Sequence, residues 1–279
     1  MKLSISNIAW GMENEQKAYS LIKDYGFTGL EIAPTRIFPN DPYIRLNEAK
    51  NWAKNLYYVY GFSVPSMQSS WFGKTERIFA SEEERDNLLQ YTKLAIDFAQ
   101  AVDCKNLVFG CPKNRTIPEN MEQAEAYDIA VKFFKKIGDY AVLHNTVIGM
   151  EANPTIYNTN FINTTTSALE LISAVNSEGF RLNLDVGTMI YNNESLEIFH
   201  NKTHLINHVH ISEPYLKPIE KRPIHANLAK MLSNYDYDGY ISIEMGKTVD
   251  FNILESSLKY INFTFNSSKS TTKTYFDYS

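Results

Sequence analysis

The sequence predicts an α/β fold, a single (β/α)8 (TIM) barrel, on three observations. Short apolar runs alternate strictly with longer amphipathic segments, eight of each. No linker rich in Pro, Gly or Ser divides the chain before Phe265. The length of 279 residues suits one barrel domain. Strands are predicted over residues 3–8, 29–33, 63–68, 106–110, 147–151, 181–185, 208–212 and 240–244. Helices are predicted over 15–25, 46–60, 82–102, 121–143, 166–176, 195–200, 225–235 and 251–262. Residues 1–265 form the barrel in this reading. Residues 266–279 are rich in Ser and Thr and lack periodicity, so they are expected to form a flexible tail, with Tyr275, Phe276 and Tyr278 its candidates for docking.

Local signals support the boundaries. Gly26 and Gly61 follow helical stretches, as helix-ending glycines do. Hydroxyls at residues 164–166 are candidate N-caps for the helix that carries Ala168 and Ile172. Pro118 and Asn120 precede the fourth helix, whose apolar stripe opens with Met121, Ala124 and Tyr127.

Composition narrows the function classes. A hydrophobic fraction of 44% with 16 Phe and 18 Tyr supports a sizeable core. A formal net charge of −5 gives no long-range attraction to a phosphate backbone, which argues against nucleic acid as a partner. Cys104 and Cys111 are too few for a disulfide framework and read as reduced thiols in or near a core. The N-terminal segment lacks the profile of a signal peptide, and no run of about 18 apolar residues suggests a membrane span. A cytoplasmic setting is therefore expected.

Four predicted strands end in a residue able to bind a cation: Glu151 in VIGME, Asp185 in RLNLD, His210 in HVHIS and Glu244 in YISIE. They stand 34, 25 and 34 residues apart, close to one βα unit each, so all four converge at the C-terminal mouth of the barrel. Alternation places them on the inner face. Ile148 and Met150 oppose Gly149 and Glu151; Leu182 and Leu184 oppose Asn183 and Asp185. Val209 and Ile211 oppose His208 and His210; Ile241 and Ile243 oppose Ser242 and Glu244. Any one of these residues alone reads as a structural hydrogen-bonding group. Together, three carboxylates repel one another unless protons or a cation compensate them. The oxygen-rich set suits Mn²⁺ or Mg²⁺, with Co²⁺ or Zn²⁺ as alternatives.

At these residues the sequence resembles the xylose isomerase-like barrel superfamily of sugar isomerases and epimerases, D-tagatose 3-epimerase relatives, inosose dehydratases and endonuclease IV. The resemblance runs from SNIAW and GLEIAP through EANPTIYNTNFINTTTSALELI to ISIEM. It implies that Glu151, Asp185, His210 and Glu244 bind one divalent metal, and that Glu151 and Glu244 serve as acid and base on a sugar (or sugar phosphate) through an enediolate. The 3-epimerase branch carries His, Glu and Arg at positions that are here Thr188, Tyr157 and Leu216, which counts against a ketohexose 3-epimerase. The segments HISEPYL and GCPKNR are similar to a less characterised branch of sugar phosphate isomerases.

Secondary candidates follow from position. Glu31, at the end of the second strand, is expected to bind substrate or orient a ligand. Gln68 and Trp71 are placed to hydrogen-bond and stack on a sugar, whereas Trp10 reads as core or rim. Lys113, Asn114 and Arg115 form a basic loop able to hold a substrate phosphate or carboxylate. His225 is a candidate for substrate contact or proton shuttling. Glu213 is expected to pair with a nearby Lys or Arg, and His208 to hold the neighbours of His210 by hydrogen bonds.

A metal-dependent isomerase or epimerase acting on a small carbohydrate is the function expected. The alternatives are a dehydratase acting on a cyclitol or keto sugar, and a sugar-binding barrel that has lost catalysis. A nuclease of the endonuclease IV type needs more His and Glu ligands than the six His of this chain supply. A homodimer or homotetramer is expected by analogy with the superfamily.

Overall fold

The computed structural model describes residues 1–266. Among them, seven strands form one sheet: β1 (Lys2–Ser6), β2 (Gly29–Glu31), β3 (Leu107–Phe109), β4 (Ile148–Met150), β5 (Phe180–Asp185), β6 (Ile206–Ile211) and β7 (Tyr240–Ile243). Their order is β2-β1-β7-β6-β5-β4-β3, and every pairing is parallel. The eighth stave is residues 63–67, which lie between β2 and β3. They make single parallel bridges, Gly29↔Ser63, Ile32↔Met67 and Met67↔Leu107. The expected regular third strand is thus corrected to a bridging segment. Pro65 has no N–H to give to a ladder, so continuous pairing stops there. Backbone bonds on either side of it, Leu30 N–H to Ser63 O at 2.9 Å and Val108 N–H to Met67 O at 2.9 Å, still tie the segment to both neighbours.

The helices are α1 (Glu15–Asp24), α2 (Pro34–Ile37), α3 (Leu46–Tyr60), α4 (Glu82–Ala101), α5 (Gln123–Leu143), α6 (Thr165–Val175), α7 (Val186–Asn192), α8 (Pro223–Asn234) and α9 (Phe251–Asn266). Gly61, at φ 76°, ends α3 in the left-handed conformation that a side chain would disfavour. Ser81 caps α4 by accepting from Glu84 N–H, and three glutamates in its first turn face the positive end of the helix dipole. A reciprocal Thr164–Ser167 capping box opens α6.

Two expectations change. The helix predicted over 195–200 is a single 3-10 turn, Leu196–Phe199, and the helix in that unit is α7, which leaves β5 without a connecting loop. The run Val186–Ile190 has the β-branched look of a continuing strand, but Asp185 accepts from Gly187 and Thr188 N–H and turns the chain into a helix. At the other end, α9 extends to Asn266, so that residue is helical and not part of a tail; the remaining tail residues, Tyr275, Phe276 and Tyr278 among them, lie outside the described residues.

The outer faces of the strands are apolar and pack into the main core: Met150, Leu184, Val209, Ile211, Ile241 and Ile243 are all buried there. The inner face is polar. Ser4, Ser6, Glu31, Asn106, Asn183, His208, His210 and Ser242 are buried as well, which alternation along the strands predicts. They bond to one another across the barrel. Asn106 Nδ2 donates to Ser66 Oγ (3.0 Å) and Asn183 Oδ1 (3.2 Å), and His208 Nε2 lies 2.8 Å from Ser242 Oγ. Apart from the Ser4 hydroxyl and His210 Nδ1, which make no hydrogen bond, such groups are tolerated away from water because they are paired. No described helix is long and apolar enough to cross a membrane.

Candidate metal and substrate site

Strand register assembles the site. β5 and β6 pair Asp185 with His210, and β6 and β7 pair His210 with Ser242, two residues before Glu244. The β5–β6 ladder skips one residue, since Leu182 pairs with Ile206 but Asn183 with His208. This irregularity brings His208 and His210 onto the inner face beside Asn183 and Asp185. Glu151, just past β4, and Glu244, just past β7, reach in from opposite ends of the arc. The ligating atoms of Glu151, Asp185, His210 and Glu244 all lie within 4.8 Å of one another.

Each side chain is held by identifiable partners. Glu151 Oε1 accepts from Asn183 Nδ2 at 2.8 Å, and Oε2 from Asn153 Nδ2 at 3.2 Å. Behind them the buried Arg115 donates to Glu151 O and to Asn153 Oδ1, both at 2.9 Å. Gly110 faces this carboxylate so closely that a Cβ would stand 2.9 Å from Glu151 Oε2. Asp185 accepts from Thr188 N–H at 2.9 Å and from the hydroxyls of Thr188 and Ser212.

His210 decides what the cluster can bind. Its Nε2 lies 2.8 Å from Glu31 Oε2, and its Nδ1 lies 3.0 Å from Glu151 Oε1 and 3.3 Å from Glu244 Oε2. An ionised carboxylate only accepts, so Nε2 carries the proton given to Glu31 and a neutral ring turns the Nδ1 lone pair toward two more carboxylates. Nδ1 is buried and makes no directed hydrogen bond. A lone pair facing carboxylate oxygens is stable only with positive charge between them. Three carboxylates and one imidazole nitrogen therefore fit a divalent cation. Without one, protons must serve. Burial and the neighbouring Glu151 raise Asp185, and burial raises Glu244 despite the opposing pull of His210. Burial works to lower His210, but Glu31 and Glu244 outweigh it and push the ring well above the ordinary imidazole range. Burial likewise opposes ionisation of Glu31, yet His210 and His208 hold its carboxyl well below the usual range.

The cleft above the cluster has a volume of about 280 Å³. Gln68 and Trp71 line it, as do Glu213, Asn153, Tyr157 and Leu216. Trp71 is otherwise committed, with its Nε1–H on Thr92 Oγ1 at 2.9 Å and its ring edge-on to Phe109. Trp10 is fully buried. The structure keeps four expected substrate contacts out of the cleft lining. Glu31 is fully buried behind His210 and also accepts from Gln68 Nε2 at 3.1 Å. Arg115 is fully buried beneath Glu151, and Lys113 is exposed to solvent. His225 is buried with Nδ1 at 3.1 Å from Tyr260 OH. Glu213 pairs with Arg222 at 2.7 Å, as the sequence suggests, and still lines the cleft. Asn153 escaped the sequence reading. Its only signal is a short amide two residues beyond Glu151.

The fold and this site define an α/β barrel with a buried carboxylate–imidazole cluster at its C-terminal mouth. The description of the xylose isomerase-like TIM barrel family matches residues 19–261, and the chain belongs to that family. No curated protein matches the sequence. Among solved structures, the apo form of 3-keto-D-glucoside 4-epimerase YcjR from E. coli is 19% identical, with 94% of this chain and 98% of that one covered and a TM-score of 0.74. D-psicose 3-epimerase from Clostridium cellulolyticum H10, solved with D-tagatose, is 17% identical, with 96% and 98% covered and a TM-score of 0.73. The probable 3-DHS dehydratase AsbF from Bacillus anthracis is 17% identical, with 93% and 98% covered and a TM-score of 0.69. At these identities the likeness shows the fold.

Two predictions follow from the packing around the site. Glu31→Gln removes the charge that orients His210, and Mn²⁺ titration should show affinity reduced about 10–100-fold with the far-UV spectrum unchanged. His225, lowered to about 4 by burial and by Arg222, is neutral in the fold but protonates near its ordinary value of 6.5 when unfolded. The unfolded chain then binds the extra proton between these values. Stability is full above about pH 6.5 and falls as the pH drops toward 4, by roughly 3 kcal/mol in all. Denaturant unfolding of His225→Gln should show a flatter acid limb than the parent; equal slopes would remove His225 from this role.

Proposed function

We propose that the chain is a divalent-cation-dependent enzyme that isomerises or epimerises a sugar by moving a proton on a carbon next to a carbonyl. The observation that carries this reading is the unpartnered Nδ1 of His210 among three buried or half-buried carboxylates at the mouth of a barrel. Glu151, Asp185, His210 through Nδ1, and Glu244 would hold the ion, with Mn²⁺ or Mg²⁺ suited to the oxygen-rich set. When bound, it supplies the positive charge that polarises a carbonyl and the adjacent hydroxyl.

The chain's own residues do the rest. Glu151 and Glu244 approach from opposite ends of the β4–β7 arc, so one is placed to take a proton and the other to return one. Glu151 is fixed by two amides, a well-oriented acceptor. Glu244, with Oε2 at 3.3 Å from His210 Nδ1, is held by no amide among the described residues and is the freer of the two. Return of the proton to the other face of the same carbon is epimerisation; return to the neighbouring carbon is isomerisation. Asn153, Gln68 and Ser212 in the cleft offer groups for sugar hydroxyls. The free thiols of Cys104 and Cys111 are consistent with a reducing, cytoplasmic setting.

A panel of ketoses and aldoses incubated with the protein and Mn²⁺ in deuterated water tests the reading. One sugar should acquire a single solvent deuterium at the carbon next to its carbonyl. Glu244→Gln should slow that exchange by at least about 10²–10⁴-fold, since a ligand and a proton carrier are lost together. Exchange at the parental rate in the variant, or none with any sugar, would sink the assignment. Release of water with the exchange would reassign the chain as a dehydratase, which begins with the same abstraction.

A further inference from the structure

We infer, resting on the proposed proton-transfer reading, that the substrate is an uncharged sugar with an uncharged, partly apolar far end, and that its phosphate esters are excluded. The charge inventory of the cleft carries this inference. Among the described residues, no Lys, Arg or His lines it, whereas Glu151, Asp185, Glu213 and Glu244 all do. The basic loop that the sequence offers for a phosphate is turned to other uses. Arg115 is fully buried and spends its guanidinium on Glu151 O and Asn153 Oδ1, both at 2.9 Å. Lys113 sits between the lining residues Pro112 and Asn114 but is exposed and does not line the cleft itself. Arg222 approaches from behind Glu213 and is consumed by it, with Nε at 2.8 Å from Oε1 and Nη2 at 2.7 Å from Oε2.

The balance of charge stays negative even with the cation in place. Three ligand carboxylates against one doubly positive ion leave one negative charge, and the Glu213–Arg222 pair adds none. A phosphate entering this cleft would lose its hydration, meet no cation but the one engaged with the reacting oxygens, and stand beside like charge. Beside uncharged polar groups such as Gln68 and Asn114, the lining offers the apolar or aromatic surfaces of Trp71, Phe72, Val108, Pro112, Tyr157 and Leu216. Phe72 is 70% exposed and Tyr215, next to Leu216, is 60% exposed, so the apolar surface continues to the rim. Such walls suit the C–H face of a sugar ring, a deoxy terminus or a glycosidic cap.

Matched pairs test this by equilibrium binding, measured calorimetrically on the full chain loaded with Mn²⁺. D-fructose, D-tagatose and the 6-deoxy ketose L-rhamnulose are each compared with D-fructose 6-phosphate, D-tagatose 6-phosphate and L-rhamnulose 1-phosphate. At least one neutral member should bind about tenfold or more tightly than its ester, with L-rhamnulose ahead of the fully hydroxylated ketoses. Lys113→Ala should leave that ranking unchanged. Esters binding as well as their neutral partners, or no neutral member binding to the loaded protein, would overturn the inference. So would an ester preference that Lys113→Ala abolishes, which would show that this lysine reaches the cleft. A separate Mn²⁺ titration keeps the two readings apart. Cation binding with an ester preference removes this inference alone, and failure to bind the cation removes both.

Discussion

Glu31 and His210, joined by a hydrogen bond in the middle of a barrel, set the chemistry at its mouth. Because Glu31 takes the proton of one ring nitrogen, the other nitrogen must face Glu151 and Glu244 as a lone pair or as a second charged donor. Everything around the cluster follows from that division. The carboxylates can approach so closely only because positive charge, from a cation or from protons, is available between them. Gln68 and His208 join His210 around Glu31, with Gln68 Nε2 also donating to Ser6 Oγ, so the carboxylate is set from three sides. The residue that reads as a substrate contact in the sequence is thus the hub of a buried network.

That network changes what the barrel interior is for. In many barrels branched apolar side chains fill the centre, whereas here serines, asparagines and histidines do. Polar groups of this kind are more demanding than an apolar filling, because each one left unpaired away from water is costly. The fold compensates on the outside. Met150, Leu184, Val209 and Ile243 turn away from the axis and join a continuous core with the helices. The apolar shell carries the stability, and the axis is left to hold charged groups in fixed directions. Arg115 shows the same division: a fully buried guanidinium fixes the backbone of Glu151 and the amide of Asn153, which together set the direction of one carboxylate.

The departures from the 3-epimerase pattern acquire physical content in this setting. Thr188 is a partner of Asp185 near the start of α7. Tyr157 and Leu216 are walls of the cleft, with Tyr157 OH accepting from Tyr215 N–H at 2.9 Å. Residues with charge or imidazole in that branch are replaced here by a hydroxyl, a phenol and an alkyl chain. The cluster at the bottom of the cleft keeps its donors while the walls become less charged. In the proposed reading, proton transfer and substrate choice are separable, the first lying with Glu151 and Glu244 and the second with the loops after β3, β4 and β6.

The period-two patterning of residues 147–151, 181–185, 208–212 and 240–244 was enough to name the strands, the inner face and the four residues that meet there, because alternation and the length of a βα unit are properties of the chain read in order. Helix ends marked by Gly61 and Thr164 were legible for the same reason, since caps act within a few residues. Only the tertiary structure decided the rest. The skipped residue between Ile206 and His208 depends on what the neighbouring strand offers. Whether Arg115, Glu31 and His225 meet a substrate or stay behind the wall depends on contacts with residues 35 to 179 positions away. Local pattern fixes which way a side chain leaves its strand; what it meets there is set by parts of the chain that become neighbours only when the barrel closes.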